Sequence, residues 1–283
     1  MRMGPQEVVW IAGAAGRMGT AIEQHLDHAK YRILTTDVEL DVADLAAVMD
    51  FASMNRPDVV INCAAMARKA DAAERPVEAY RTNALGARNL AIASASVGGD
   101  IVHLSTDDVF PGKLKHPLNE FDVPLPYDVY GKSKLAGENF VRSLNTRHII
   151  VRSSWIYCDR EGELFNRILE AGRSNVPFEV PANQFASPTS VDTFARFVIA
   201  AMESDEFGLF HASCDGTCSR FEFAKRVLEL AGLPTTCLVG KYDPEDAYHI
   251  DLENLMLKMT GLFEMPSWEE DLASFMSDHG LLG

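Results

Sequence analysis

The chain has no CxxC pair, no long apolar run and few cations for its acids. Its five cysteines, Cys63, Cys158, Cys214, Cys218 and Cys237, are odd in number and scattered, so reduced structural thiols are expected in place of a disulfide or metal framework. No apolar stretch approaches the roughly 18 residues of a membrane span. The opening "MRMGPQEVVWIAGAAG" enters a strand-and-glycine pattern with no charged leader and cleavage site, and a cytoplasmic location with no membrane partner is expected. Against 41 aspartates and glutamates stand 26 lysines and arginines, a net charge of −15. That balance argues against a nucleic-acid surface, which needs a basic patch to displace counterions. It leaves room for a nucleotide, because local donors at a helix N-terminus can hold a phosphate inside an acidic protein. Neither an internal repeat nor a low-complexity tract interrupts the chain.

What is present is the alternation of short apolar runs with amphipathic stretches. "EVVWI" leads into "AGAAGRMG" and a helical pattern from Thr20 to about His28; "YRILTTD" ends on an acid. A helix-like stretch near Asp44–Met54, the run "PDVVINCAA", a helix through Val77–Val97 and "DIVHLSTDDVF" follow, then a helix at Tyr130 and a strand at Arg147–Tyr157. Such alternation predicts βαβ units and a parallel sheet covered on both faces. The expected fold is α/β, a Rossmann-type doubly wound parallel sheet. Residues 1–160 read as a dinucleotide-binding core, and 161–283 as a smaller mixed α/β substrate-binding lobe partly interleaved with it.

"GAAGRMG" spaces Gly13, Gly16 and Gly19 as GxxGxxG between a strand and a helix. Glycines there let the backbone approach a pyrophosphate while the helix N-terminus offers unpaired N–H groups. Asp37 lies 18 residues past Gly19 at the end of the second strand run, where an acid takes adenosine ribose hydroxyls and disfavours a 2′-phosphate; the alternative is a turn acid. Arg17 in the glycine loop pulls the other way, so NADH and NADPH both stay open. In "VHLSTDDVF" the run ends at Ser105, Thr106 and Asp107, polar groups at the carboxyl edge of a parallel sheet. Tyr130 follows Thr106 by 24 residues, and Lys134 stands one helical turn beyond Tyr130. A hydroxyl, a phenol and an ammonium form a set for hydride transfer to a carbonyl. Thr106 holds the oxygen, Tyr130 gives the proton, and Lys134 holds the nicotinamide ribose and lowers the phenol's pKa.

The glycine loop, "STDDVF" and "YGKSKLAGE" together resemble the extended short-chain dehydrogenase/reductase superfamily. "PDVVINCAA", "NALGARNLA", "VRSSWIY", "NQFASPTSVD", "GLFHASCDGTCSRFEFA" and "MPSWEEDLASFM", in that order, narrow the resemblance to the dTDP-4-dehydrorhamnose reductases over nearly the whole chain. The resemblance implies an NAD(P)H-dependent reduction of the C4 keto group of dTDP-4-dehydro-L-rhamnose, a step in dTDP-rhamnose and cell-surface polysaccharide biosynthesis. It implies Thr106, Tyr130 and Lys134 as catalytic residues, and Gly16, Arg17 and Met18 on the pyrophosphate loop. It also implies Asp41 and Val42 beside the adenine, Ala64 and Ala65 along the cofactor, and Trp155 beside the sugar or nucleotide, where the alternative is a core aromatic. Thr106 and Asp107 are the other substrate-side candidates. Some relatives use glutamates for a magnesium at a dimer contact; here no metal site is identifiable, and a homodimer stays possible.

Three segments depart from the family pattern. Asp108 stands where a tyrosine is usual, Lys69-Ala70 replace a Val-Asp pair, and "PEDAYHIDLEN" lacks an expected arginine. Loss of an arginine that clamps a diphosphate removes about 1.5–3 kcal/mol, for which Lys69 or Arg68 are the compensating candidates. Two alternatives follow: a reductase or epimerase acting on another nucleotide sugar, or a non-catalytic NADP-binding regulatory subunit. A cation facing the space between Thr106 and Trp155 is what the diphosphate reading requires. His103 and His211 read as core histidines, "DPEDA" and "WEEDLASFM" as solvated faces, and Asn83 as either a brace of the active-site edge or a helix cap.

Overall fold

The computed structural model describes residues 6–113 and 116–283; the first five residues of the opening segment read above for a leader lie outside them. β1 (Glu7–Ala12), α1 (Arg17–His25), β2 (Tyr31–Thr36), α2 (Leu45–Asn55) and β3 (Val59–Asn62) open the chain. α3 (Lys69–Glu74), α4 (Pro76–Tyr80) and α5 (Ala87–Val97) then lead to β4 (Asp100–Thr106), and α6 (Val129–Leu144) leads to β5 (His148–Ser153). These five strands and β10 (Gly208–His211) form one sheet in the order β10-β5-β4-β3-β1-β2, with every neighbouring pair parallel. The direction of winding reverses between β1 and β3, which is where open α/β sheets bind ligands beyond their strand carboxyl ends.

Strand alternation splits the core between the two faces. Val9, Ile11, Ile61, Val102 and Val151 pack on one side in a cluster that takes in α1 and α8 (Val191–Met202). Trp10, Val60, Ile101 and Ile150 pack on the other with α2 and α5. Burial on both faces explains why these runs are continuously apolar rather than alternating in polarity.

α1 begins at Arg17, three residues before the predicted start, because Gly16 in extended conformation serves as its N-cap. The single helix expected over Val77–Val97 is instead α4, a π-helical turn at Arg81–Gly86, and α5. Asn83 sits in that turn and both donates to and accepts from the Met66 backbone, so it braces the loop after β3; wide turns of this kind recur at functional sites.

The rest of the chain is β6 (Ile156–Tyr157), α7 (Leu164–Ser174), β7 (Phe178–Pro181), β8 (Gln184–Ala186), β9 (Thr189–Ser190), β11 (Cys218–Ser219), α9 (Arg220–Leu230), β12 (Leu238–Lys241), β13 (Tyr248–His249), α10 (Leu255–Thr260) and α11 (Trp268–Asp278). β11, β8 and β13 form a three-stranded sheet, and β12 pairs with β7. α8 and β10, which follow residue 160, nonetheless belong with the central sheet: α8 packs on α1 and β10 forms the sheet edge. "WEEDLASFM" is not a solvated face throughout. In α11 Asp271 is buried and accepts from Tyr157, Ser190 and Thr193, because the helix turns this carboxylate with Leu272 and Phe275 into the core. His103 and His211 are fully buried, bonded to Asn62 and to the Leu118 carbonyl. All five cysteines are free thiols, and no helix among the described residues is long and apolar enough to cross a membrane.

Candidate active site

Two cavities lie along the carboxyl edge of the sheet and share Cys63 and Ala65 at the end of β3. The first, about 520 Å³, is bounded by Gly13, Gly16, Asp37, Asp41, Val42 and Ala64. The second, about 340 Å³, is bounded by Thr106, Asp107, Tyr130, Lys134 and Trp155, with Arg17 and Met18 at its edge. Gly19 lines neither cavity; it is buried in α1, packed on the loop.

At the first cavity Gly13 has φ +83°, and a Cβ there would lie 2.6 Å from the Ala64 nitrogen. Only glycine fits a left-handed residue pressed on a neighbouring backbone. The loop thus runs flat into the N-terminus of α1, leaving backbone N–H groups available to an anion. Asp37 accepts from the Ala15 N–H at 2.8 Å, so its carboxylate lies beside this loop rather than out in solvent. Asp41 is paired with Arg81 at 2.7 Å. Arg17 crosses toward the later segments, donating to the Ile156 carbonyl at 3.2 Å and pairing with Glu163 at 3.1 Å.

At the second cavity Thr106 ends β4 opposite Ser153 of β5. α6 starts beside it, with Asp128 capping the helix through the Gly131 N–H at 2.7 Å. A Cβ on Gly131 would lie 2.1 Å from the Asp108 carbonyl, so glycine permits the helix to touch the loop and set Tyr130 against Thr106. Ser154 donates to Asp107 at 2.6 Å and Thr106 donates to the same carboxylate at 3.1 Å. Burial and the neighbouring Asp108 charge push the Asp107 carboxyl up to about 7. Burial likewise raises Asp108, against the opposing effect of Lys69, which is hydrogen-bonded to it. The two unusual residues of the sequence are therefore partners: Lys69 neutralises Asp108 at the cavity rim, with Asp128 3.7 Å away.

Lys134 is buried and donates to the Leu104 carbonyl at 2.5 Å. Burial lowers its ammonium to about 8, while the Glu138 carboxylate one turn on opposes the shift. Glu138 is held bidentately by Arg152 at 2.9 and 2.7 Å and accepts from Ser105 at 2.6 Å, all but fully buried. This anchors α6 to β4 and β5. The Tyr130 phenol is raised by burial and then by the charge of Asp108. The direction opposes the lowering expected from Lys134, because two carboxylates and a dry environment outweigh an ammonium that is turned to a backbone carbonyl.

Trp155 has φ +39°, a strained backbone for a bulky side chain. Its indole lines the cavity and donates to the Tyr248 hydroxyl at 2.7 Å. The guanidinium of Arg220 lies 4.0 Å from the indole centroid. Arg220 also lines the cavity with Thr106 and Trp155, and is the cation that sequence reasoning missed. Its signal lay in "CSRFEFA", where an arginine follows the capping serine of a helix, yet nothing local shows that β11 brings it to Trp155. Among the described residues no group of three or more His, Cys, Asp or Glu side chains is arranged to hold a metal ion.

The family model described as the RmlD substrate binding domain matches residues 7–280. Among curated relatives, a dTDP-4-dehydrorhamnose reductase of Sinorhizobium fredii is 38% identical over 80% of this chain and 83% of its own. The chain belongs to the dTDP-4-dehydrorhamnose reductase family. A spore coat polysaccharide biosynthesis protein, SpsK of Bacillus subtilis, is 31% identical over 95% of this chain and 97% of its own. The crystal structure of dTDP-4-dehydrorhamnose reductase from Bacillus anthracis in complex with NADP superposes with a TM-score of 0.92 at 33% identity, covering 98% of this chain and all of that one. The resemblance drawn from the sequence is borne out at family level, and the doubly wound parallel sheet is the family's fold.

Proposed function

We propose that this chain reduces the C4 keto group of dTDP-4-dehydro-L-rhamnose with NAD(P)H, giving dTDP-L-rhamnose. The observation that carries the reading is that Thr106, Tyr130 and Lys134, drawn from β4 and α6, line one cavity that shares Cys63 and Ala65 with the glycine-loop cavity. The glycine cradle, the N-terminus of α1 and Asp37 suit a dinucleotide: backbone N–H groups for the pyrophosphate and a carboxylate for the ribose. Gly13, Gly16 and Ala64 leave room for it, Gly19 seats α1 beneath it, and Asp41, Val42 and Ala65 border it.

The nicotinamide, when bound, supplies the hydride. Thr106 donates its hydroxyl hydrogen to the substrate's carbonyl oxygen, exchanging a carboxylate acceptor for the ligand. Tyr130, kept protonated at neutral pH by burial and the Asp108 charge, transfers its proton to that oxygen as negative charge develops there. Lys134 holds positive charge beside it, and Glu138 and Arg152 hold Lys134 in register. Asp107 holds the Thr106 hydroxyl until the ligand takes it over and stays bonded to Ser154, and Trp155 forms another wall. In this reading residues 1–160 carry the dinucleotide and most of 161–283 closes over the sugar nucleotide, with α8 and β10 contributed back to the core.

The names of the relatives favour the reductase over an epimerase or a regulatory subunit. The test is oxidation of NADH and NADPH, followed by absorbance, with dTDP-4-dehydro-L-rhamnose. Turnover with formation of dTDP-L-rhamnose is the expected result. Tight dinucleotide binding without turnover of this sugar would sink the proposal.

A further inference from the structure

Arg220 is an unusual cation for so acidic a chain. Its Nε donates to Gln184 at 2.9 Å and its Nη2 to the Tyr248 hydroxyl at 3.1 Å, both neutral acceptors. No carboxylate among the described residues forms a salt bridge with it. Arg17 at the same cavity is paired with Glu163, and Lys134 is spent on the Leu104 carbonyl. A guanidinium has five N–H donors, and among the described residues only two of those of Arg220 find acceptors.

The surrounding fold presents this group rather than sequestering it. Tyr248 of β13 is in register with Gln184 of β8, and β11, which runs into Arg220, lies on the other side of β8. Three strands from distant parts of the chain therefore converge to fix one guanidinium over the Trp155 ring. The Tyr248 oxygen accepts from both Trp155 and Arg220, and its own O–H has no acceptor among the described residues. The planar fork and the phenol together are donors awaiting an anion with several oxygens. Asp107 and Asp108 line the same cavity, and whatever negative charge Lys69 leaves unbalanced there disfavours an unassisted anion, so a cation without a carboxylate partner suits such a ligand.

We propose that Arg220 is the anchor for the sugar-bearing phosphoryl group of the nucleotide substrate, supported on Trp155, Gln184 and Tyr248. It supplies the arginine that the sequence lacks in "PEDAYHIDLEN", from another element. The proposal rests on the nucleotide-sugar reading above and deepens it: Arg220 distinguishes nucleoside diphosphates from monophosphates.

The experiment measures binding of dTDP and of thymidine monophosphate by titration calorimetry in the presence of NADPH, for the native chain, Arg220→Gln and Arg220→Lys. The expected result is a Kd for dTDP raised about 10- to 100-fold in Arg220→Gln, with the monophosphate affected much less. Arg220→Lys, keeping charge without the fork, falls between. NADPH binding reports whether each variant is folded; should the glutamine variant fail, the lysine variant carries the same comparison. Native binding of dTDP with an unchanged Kd in a folded variant, or equal losses for the two nucleotides, overturns the anchor and leaves the reductase reading standing. A native chain that binds no dTDP overturns both.

Discussion

Gly13 and Gly131 each let two backbones touch, at opposite ends of the paired cavities. Gly13 meets Ala64, and Gly131 meets the carbonyl of Asp108. The first contact belongs to a strand, loop and helix contiguous in sequence, with β3 as the abutting neighbour. The second joins the start of α6 to the end of β4 and has no signature of its own in "YGKSK". The glycine-loop end is therefore a local device repeated wherever this chain pattern occurs. The other end, around Thr106 and Tyr130, is assembled from β4, α6, the strained Trp155 turn and β11, and its geometry depends on all of them.

That contrast is sharpened most by Tyr130→Phe. Loss of the proton donor is expected to lower kcat by about 10²- to 10⁴-fold while the NADPH Kd stays within about twofold; a parallel loss of cofactor affinity would show the two ends to be one unit. Gly131→Ala comes next. The added methyl displaces α6 from Asp108, and a shift of the reacting phenol by about 1 Å lowers kcat on the order of 10²-fold, with overpacking of about 1–3 kcal/mol visible in the melting temperature. An unchanged kcat would mean that the loop yields and the helix does not.

Gly13→Ala tests the other end. A left-handed backbone costs an alanine about 1–2 kcal/mol, and the collision with Ala64 adds to it. The expected outcome is NADPH affinity reduced by at least about tenfold, measured by fluorescence titration, with dTDP affinity little altered.

The smallest effect concerns Lys134. Its folded pKa of about 8 lies below the ordinary 10.5, so burial opposes folding fully below about pH 8, and the opposition fades as pH rises from about 8 to 10.5, above which it is gone. Lys134→Met should accordingly gain melting temperature relative to the native chain near pH 7, and this advantage should shrink by several degrees near pH 10. An advantage independent of pH would show that folding does not shift the Lys134 pKa.

The parallel sheet was legible because buried strands must be apolar and helices between them must be amphipathic, and those patterns are local. GxxGxxG, Thr106 and the Tyr130–Lys134 pair were legible because their spacing is set by a loop, a strand end and one helical turn. The Lys69–Asp108 pair was visible only as two separate oddities, since their contact joins the loop after β3 to the loop after β4. The direction of the Tyr130 shift was misjudged because a helical spacing says nothing of desolvation or of carboxylates arriving from a neighbouring strand. Asp271 escaped notice for the same reason: acids in an amphipathic helix look solvated until a core of donors closes over one of them.

By itself the sequence determined the alternation of strands and helices in the central sheet, the glycine cradle and the candidate set Thr106, Tyr130 and Lys134, each encoded within a few residues. Only the tertiary structure decided where Arg220 lies, which way Trp155 turns and which charges surround Tyr130. Contacts between residues tens to hundreds of positions apart follow from how whole elements pack, and the energy of a buried charge depends on every group that packing brings to it.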